Sequence, residues 1–275
     1  MLSKQPVCLH FHIFKNAGTT IDWILKKNFS KNHLTMDDQA TNPAEIFNWE
    51  NILNFLQKHS DVQAFSSHII RFPIPEKSSF HFLPMVFIRH PIDRAFSVYS
   101  FKKRDSDNSI ATIIAKTGTL KEFVNWSLSL KKYAVMKNFQ VLYLSKSSYD
   151  NNPITLEDYH LALKRLQNCT VLGIVDRLDE SLVVAEEELK KFFPKIDLSY
   201  KSQNVSHDRK NTLEERINDG RKKIGENLFD KLLSFNKYDL ELYNFGNDEL
   251  NQKIQKIHDF NNKLIDFRNR CQKLN

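Results

Sequence analysis

Short apolar runs separated by segments of helical spacing constrain this chain more than any other feature. "VCLHFHI" at 7–13, "VQAFSSH" at 62–68, "PMVFIRH" at 84–90 and "CTVLGIV" at 169–175 read as strands, and "FQVLYLS" at 139–145 reads as a fifth. They are short and bounded by turn or polar residues, the pattern of a parallel sheet with crossover helices. Between them, Ile21, Ile24 and Leu25 form a helical stripe, and "TLKE" (119–122) and "TLED" (155–158) are N-terminal capping signals. Leu156, Tyr159, Leu163 and Leu166 repeat at helical spacing after the second of these. "DESLVVAEEELKKFF" (179–193) is acidic early and basic late, as the helix dipole favours. Together these elements predict an α/β fold of three layers, with a central, mainly parallel sheet and flanking helices.

Composition supports one compact unit. With 41% hydrophobic residues and only 6 glycines in 275, the chain has a core to bury and little material for flexible linkers. One domain over 1–250 is expected, followed by a C-terminal helix over 251–275. In that tail Ile257, Phe260, Leu264, Phe267, Cys271 and Leu274 alternate steps of three and four, a short heptad seam. It reads either as a helix packed back on its own domain or as a short coiled coil supporting a homodimer.

A net charge of +7 suits an anionic ligand, but the lysines are dispersed, which equally describes a well-solvated surface. The three cysteines, Cys8, Cys169 and Cys271, are far apart and show no C-x-x-C spacing, so neither a disulfide framework nor a zinc ribbon is indicated. The apolar pattern begins by Val7, without room for a signal peptide, and no run approaches about 18 uninterrupted apolar residues. The expected setting is cytoplasmic, with no membrane span.

Two loops carry the chemistry. "HIFKNAGTT" (12–20) joins a strand to a helix, where backbone N–H groups and the helix dipole converge on an anion. Gly18 permits close backbone approach, Thr19 and Thr20 offer hydroxyls, and Lys15 adds a point charge. In a nucleotide-hydrolysing P-loop the lysine follows the second glycine; here Lys15 precedes Gly18. The plainer alternative is a βα turn with a surface lysine. The second loop, "FIRHPIDRAFSVYSF", puts Arg89 at a strand end, the edge where ligands bind in open α/β sheets, and Ser97 about two helical turns further on. Taken singly, Arg89 and Arg94 read more readily as surface ion-pair partners.

In combination, "HIFKNAGTT" resembles the 5′-phosphosulfate loop, and "IRHPIDRAFSVYS" the 3′-phosphate element, of sulfotransferases that use 3′-phosphoadenosine 5′-phosphosulfate (PAPS), particularly the carbohydrate enzymes of heparan and chondroitin type. "NFQVLYL", "LGIVDRLDESL", "NVSHDR" and "LFDKLLSFNKYDLELYNF" follow in the family's order, so the resemblance spans about residues 8 to 246. It departs from the family at Phe14, Asn16 and His90, where proline, threonine and aspartate are usual. The resemblance implies a P-loop-like sulfotransferase fold and PAPS as co-substrate. It assigns the phosphosulfate to the segment Lys15, Asn16, Ala17, Gly18, Thr19 and Thr20, the 3′-phosphate to Arg89 and Ser97, and a further nucleotide contact to Arg209. A solvent-exposed loop arginine is the other reading of Arg209.

Sulfuryl transfer needs charge stabilisation on the leaving phosphate, alignment of the acceptor and removal of its proton. Lys15 answers the first, positioning the second. For the third, His68 in "FSSHIIRFP" is the leading base, with His81 and His90 as backups; the resemblance places a histidine of a "GH" segment there, although Ser67 replaces the glycine. His10 and His12 share one strand face, but no third ligand at convincing spacing accompanies them. His12 is read as a structural residue, and the scheme requires no metal. Arg71, Lys102, Lys103 and Arg104 are candidates for binding a hydroxylated acceptor, carbohydrate above all. No base-readout motif points to nucleic acid. The competing readings are a P-loop nucleotide kinase or NTPase, disfavoured by the position of Lys15 and the lack of a well-placed Walker-type aspartate, and a non-catalytic nucleotide-binding or interaction protein.

Overall fold

A computed structural model describes residues 4–36, 48–131, 135–146, 153–201 and 212–274. In chain order the elements are β1 (Gln5–Phe11), α1 (Gly18–Phe29), β2 (His33–Thr35), α2 (Trp49–Gln57), β3 (Ala64–Ser67), β4 (Phe80–Ile88), α3 (Pro91–Arg104), α4 (Ile110–Thr117), α5 (Leu120–Ser129) and α6 (Phe139–Ser145). There follow α7 (Leu156–Gln167), β5 (Val171–Ile174), α8 (Leu178–Leu189), α9 (Leu213–Ile224), α10 (Glu226–Ser234), α11 (Lys237–Lys256) and α12 (Phe260–Gln272).

The strands form one parallel sheet in the order β2-β3-β1-β4-β5, flanked by helices, as the alternating pattern predicts. β1 is central, and Val7, Cys8, Leu9 and Phe11 on it are at most 1% exposed, so it is covered on both faces. From β1 the chain moves outward on one side to β2 and β3, then returns past β1 to β4 on the other. Connections leaving the carboxyl ends of β1 and β4 therefore diverge, opening a crevice at the switch point. A second apolar core, with Phe123, Val124 and Leu232 at its centre, lies under α3, α5 and α10.

Two strand expectations need correction. β4 begins at Phe80, not Pro84. The proline sits opposite Leu9, one residue before the pairing of Met85 with Val171 starts. That flank of β4 is still an edge, a place where a missing N–H is tolerated. The second correction is larger, because "FQVLYLS" is a helix, α6. All seven of its residues are buried, so the sequence shows no amphipathic period from which helix and strand could be told apart.

Tertiary hydrogen bonds decide for the helix. Asn138, in the left-handed conformation, precedes α6. Asp239 accepts the N–H groups of Gln140 (3.0 Å) and Val141 (2.8 Å), capping α6 from the first turn of α11. In return the Asn138 side chain accepts the N–H groups of Tyr238 and Asp239, each at 3.1 Å. Two helix N-termini thus cap each other across about a hundred residues of sequence, satisfying donors that would otherwise be orphaned.

The capping boxes at Thr119 and Thr155 are present as read. The C-terminal seam is not one helix: Ile257 is extended at the end of α11, and Asp259 is left-handed before α12. Phe260 and Phe267 of the seam join the main core. α12 packs along α8, with Lys263 paired to Glu187 and Arg270 to Glu186. No helix among the described residues is long and apolar enough to cross a membrane.

Candidate functional site

The loop after β1 has a distinctive backbone. Lys15 (φ 68°) and Ala17 (φ 64°) are both left-handed, with Asn16 between them on the ordinary side. Such alternation curls the backbone into a concavity, with the Asn16 N–H closing the turn onto the Ile13 carbonyl at 3.1 Å. α1 begins at Gly18 without a side-chain cap; the Ala17 carbonyl takes the N–H groups of Thr20 and Ile21, which leaves those of Gly18 and Thr19 as the helix-start donors without an intrahelical acceptor. Gly18 is required for a reason that the sequence did not show: a Cβ there would lie 1.8 Å from Nε2 of His12. The glycine lets the His12 ring pack against the helix start.

Asn16 acts as the bolt of this loop. It is 2% exposed, and its amide donates to the Phe87 carbonyl (2.8 Å) and to Oε1 of Gln140 (2.7 Å). The same Gln140 oxygen accepts the Arg89 N–H at 2.8 Å, and the Gln140 amide donates back to the Arg89 carbonyl at 2.9 Å. The loop after β1, the end of β4 and α6 are locked together. The Asn16 side chain is turned into this network, and the residue does not line the cleft, unlike its neighbours.

Arg89 joins the two anion-directed elements. Its guanidinium donates to the Lys15 carbonyl (2.9 Å) and to Asp93 (2.7 Å), one turn into α3. Asp93 also receives Arg216 of α9 at 2.8 Å. Burial raises the Asp93 carboxyl, but Arg89 and Arg216 outweigh it and hold the group down at about 2. It therefore stays ionised and fixes both cations beside the cleft. Lys15 Nζ rests 4.5 Å from the centroid of the Phe101 ring and 5.8 Å from that of Phe14. Burial, then repulsion from Arg89 and Arg104, lowers its pKa to about 8.

These groups line one cleft of about 1610 Å³ over the carboxyl ends of the strands. Of the residues singled out in the sequence, Lys15, Ala17, Gly18, Thr19 and Thr20 reach it from the first loop, Arg89 and Ser97 from the second, and His68 from the end of β3. Arg209 lies outside the described residues. Nδ1 of His68 is 2.6 Å from the carbonyl of His12. A carbonyl can only accept, so Nδ1 carries the proton and Nε2 is the basic nitrogen. The His68 ring lies tilted against that of His12, with centroids 3.8 Å apart.

Other candidates go elsewhere. His81 stacks on Phe192, and His90 packs edge-on against Tyr243. Neither lines the cleft. Arg71 is buried, donating to the carbonyls of His68 and Ile70 while lying 3.8 Å over the Tyr143 ring. Arg94 is fully buried against Phe139. Lys102 is held by Asp105 and Asp107, whereas Lys103 and Arg104 stand at the cleft rim.

Sequence reasoning missed α9, whose Arg216, Gly220 and Lys223 face the cleft. Their steps of four and three along one helix were the available signal. It also missed the opposite wall, where Asp176 lies near Asp179, and Asp179 accepts from Tyr200 and from Arg268 of α12.

The model of the sulfotransferase family matches residues 1–246. A protein of Archaeoglobus fulgidus described as uncharacterized is 30% identical over 246 residues, which span 87% of this chain and 95% of the relative. The chain belongs to the sulfotransferase family.

Proposed function

We propose that this member of the sulfotransferase family transfers the sulfuryl group of PAPS to a hydroxyl of a carbohydrate or other small acceptor, by in-line displacement. The observation that carries the reading is the meeting of the Lys15 loop and the Arg89–Ser97 element in one cleft, at the carboxyl ends of the adjacent strands β1 and β4. A donor with a 5′-phosphosulfate and a separate 3′-phosphate needs two such anion sites. The left-handed loop and the uncapped start of α1 suit the first, and Arg89 with Ser97 the second. The donor supplies the activated sulfuryl group. Residues 1–250 are read as the catalytic unit, and the chain beyond it, the end of α11 and then α12, as a segment packed back on that unit.

The roles follow from charge and position. Lys15 neutralises the negative charge that grows on the leaving phosphate oxygen as the S–O bond breaks, an interaction strongest in the transition state. Arg89 and Arg216, fixed by Asp93, hold the anionic donor in place. His68 Nε2 takes the proton of the acceptor hydroxyl as its oxygen bonds to sulfur. The products are a sulfate ester and adenosine 3′,5′-bisphosphate. Phe14 and Phe101 at the mouth, with Lys103 and Arg104 on the rim, offer an aromatic and cationic platform for a hydroxylated acceptor.

PAPS turnover measured over a panel of glycans and small hydroxyl acceptors tests this directly. Lys15→Ala should lower turnover by about 100-fold or more. His68→Ala should lower the chemical step while leaving nucleotide affinity nearly unchanged. ATP hydrolysis without any binding of PAPS or its product nucleotide would overturn the assignment in favour of a nucleotide kinase or NTPase.

A further inference from the structure

His10 on β1 and His12 just past its end meet a carboxylate from α1. Nδ1 of His10 lies 3.0 Å from Oδ1 of Asp22, and Nδ1 of His12 lies 3.1 Å from Oδ2. The donor atoms of the three residues all lie within 4.8 Å of one another. Ser66 of β3, in register with His10, adds an Oγ 3.2 Å from the same His10 nitrogen and 3.0 Å from Nε2 of His33. The third ligand that sequence spacing did not reveal comes from a different element, at Asp22, 12 residues on from His10.

The crowding at His10 points to an ion. Its Nδ1 has two oxygens at hydrogen-bonding distance but at most one N–H to direct at them. A metal bonded to that nitrogen has no such limit. Nitrogen and oxygen donors about 2.1 Å from one ion stand about 3.0–3.4 Å apart along octahedral or tetrahedral edges, and both histidine–carboxylate contacts, at 3.0 and 3.1 Å, fall in that range.

We infer that His10, His12 and Asp22 form a binding site for a divalent transition metal of the zinc class, with Ser66 Oγ beside it. Imidazole and carboxylate donors suit Zn²⁺, and three protein ligands leave a position open to water. The His10 side chain is only 1% exposed, while Asp22 at 24% and His12 at 13% leave a way in for the ion. The ion ties the end of β1 to α1 behind the Gly18 loop. His12 links it to the cleft, since its ring packs on Gly18 and lies tilted against His68. The site takes no part in the transfer steps and does not depend on the identity of the sulfuryl donor.

Untagged full-length protein, stripped with EDTA and dialysed first against Zn²⁺ and then against metal-free buffer, should retain one zinc per chain by mass spectrometry. Its thermal midpoint should rise with zinc, because the ion binds the folded state. Titration with Co²⁺ should give the visible absorption of a nitrogen- and oxygen-ligated site. Asp22→Asn should weaken zinc at least about tenfold, while His160→Ala, on the exposed face of α7, should leave it unchanged. The asparagine is isosteric and still accepts hydrogen bonds, so unchanged circular dichroism in that variant separates lost ligation from lost folding. Zinc well below one per chain in the wild type, or undiminished affinity in Asp22→Asn, overturns the site and leaves Asp22 as a hydrogen-bond acceptor for two histidines.

Discussion

Lys15 carries the key charge in the proposed reaction, and its environment makes that charge depend on pH. In the free protein it loses its proton as pH rises through about 8, because burial and the nearby arginines disfavour the ammonium. A bound phosphate dianion favours the ammonium and raises that pKa, so the complex holds more protons than its parts. Affinity for adenosine 3′,5′-bisphosphate should therefore fall by up to about tenfold per pH unit from about 8 to the higher pKa of the complex. Calorimetry between pH 7 and 10 would show it, and Lys15→Arg, whose charge persists, should flatten the slope. An equally flat profile in the wild type would contradict the placement of Lys15 at the anion. The loop itself was legible, because glycine, lysine and hydroxyl residues at a strand-to-helix junction have few other uses. The separate task of Asn16 was not. An asparagine that reaches Phe87 and Gln140, distant in sequence, leaves no local trace.

The elements show the same division between local and long-range information. Capping boxes at Thr119 and Thr155 could be read because each is complete within four residues. The helix α6 could not, since its donors are satisfied by Asp239, far along the chain. Burial raises the Asp239 carboxyl, opposed by fully buried Arg94 and by the N–H groups of Gln140 and Val141. Asp239→Ala removes the cap and leaves both Arg94 and the α6 N–H groups without it. The expected loss is about 3 kcal/mol of stability, seen as a lower urea midpoint at unchanged slope. A loss below about 1 kcal/mol would mean that α6 is held by packing alone. Because Gln140 also carries Asn16 and Arg89, the same variant should weaken nucleotide binding while His68 keeps its place.

At the scale of the molecule, the sheet order places the cleft, and that order was only partly readable. Alternating strands and helices imply a parallel sheet, but nothing local says that β1 lies between β3 and β4. The C-terminal helix adds a part beyond the residues that the family model matches. It buries Phe267 completely in the main core and sets Arg268 in the cleft wall. Phe267→Ala should cost about 3–5 kcal/mol in a denaturant titration; a change within 0.5 kcal/mol, about the size of a surface substitution, would show that the helix is an appendage.

The central claim is that two anion sites in one cleft read a nucleotide carrying a 3′-phosphate. Calorimetric titration of the wild type and Arg89→Ala with adenosine 3′,5′-bisphosphate and with ADP tests it most directly. Tight binding of the bisphosphate, at least about tenfold tighter than ADP and levelled by the substitution, is the expected result, since a charge-assisted contact contributes about 1.5–3 kcal/mol. Equal affinity for the two nucleotides in the wild type, or no binding of the bisphosphate, would contradict it.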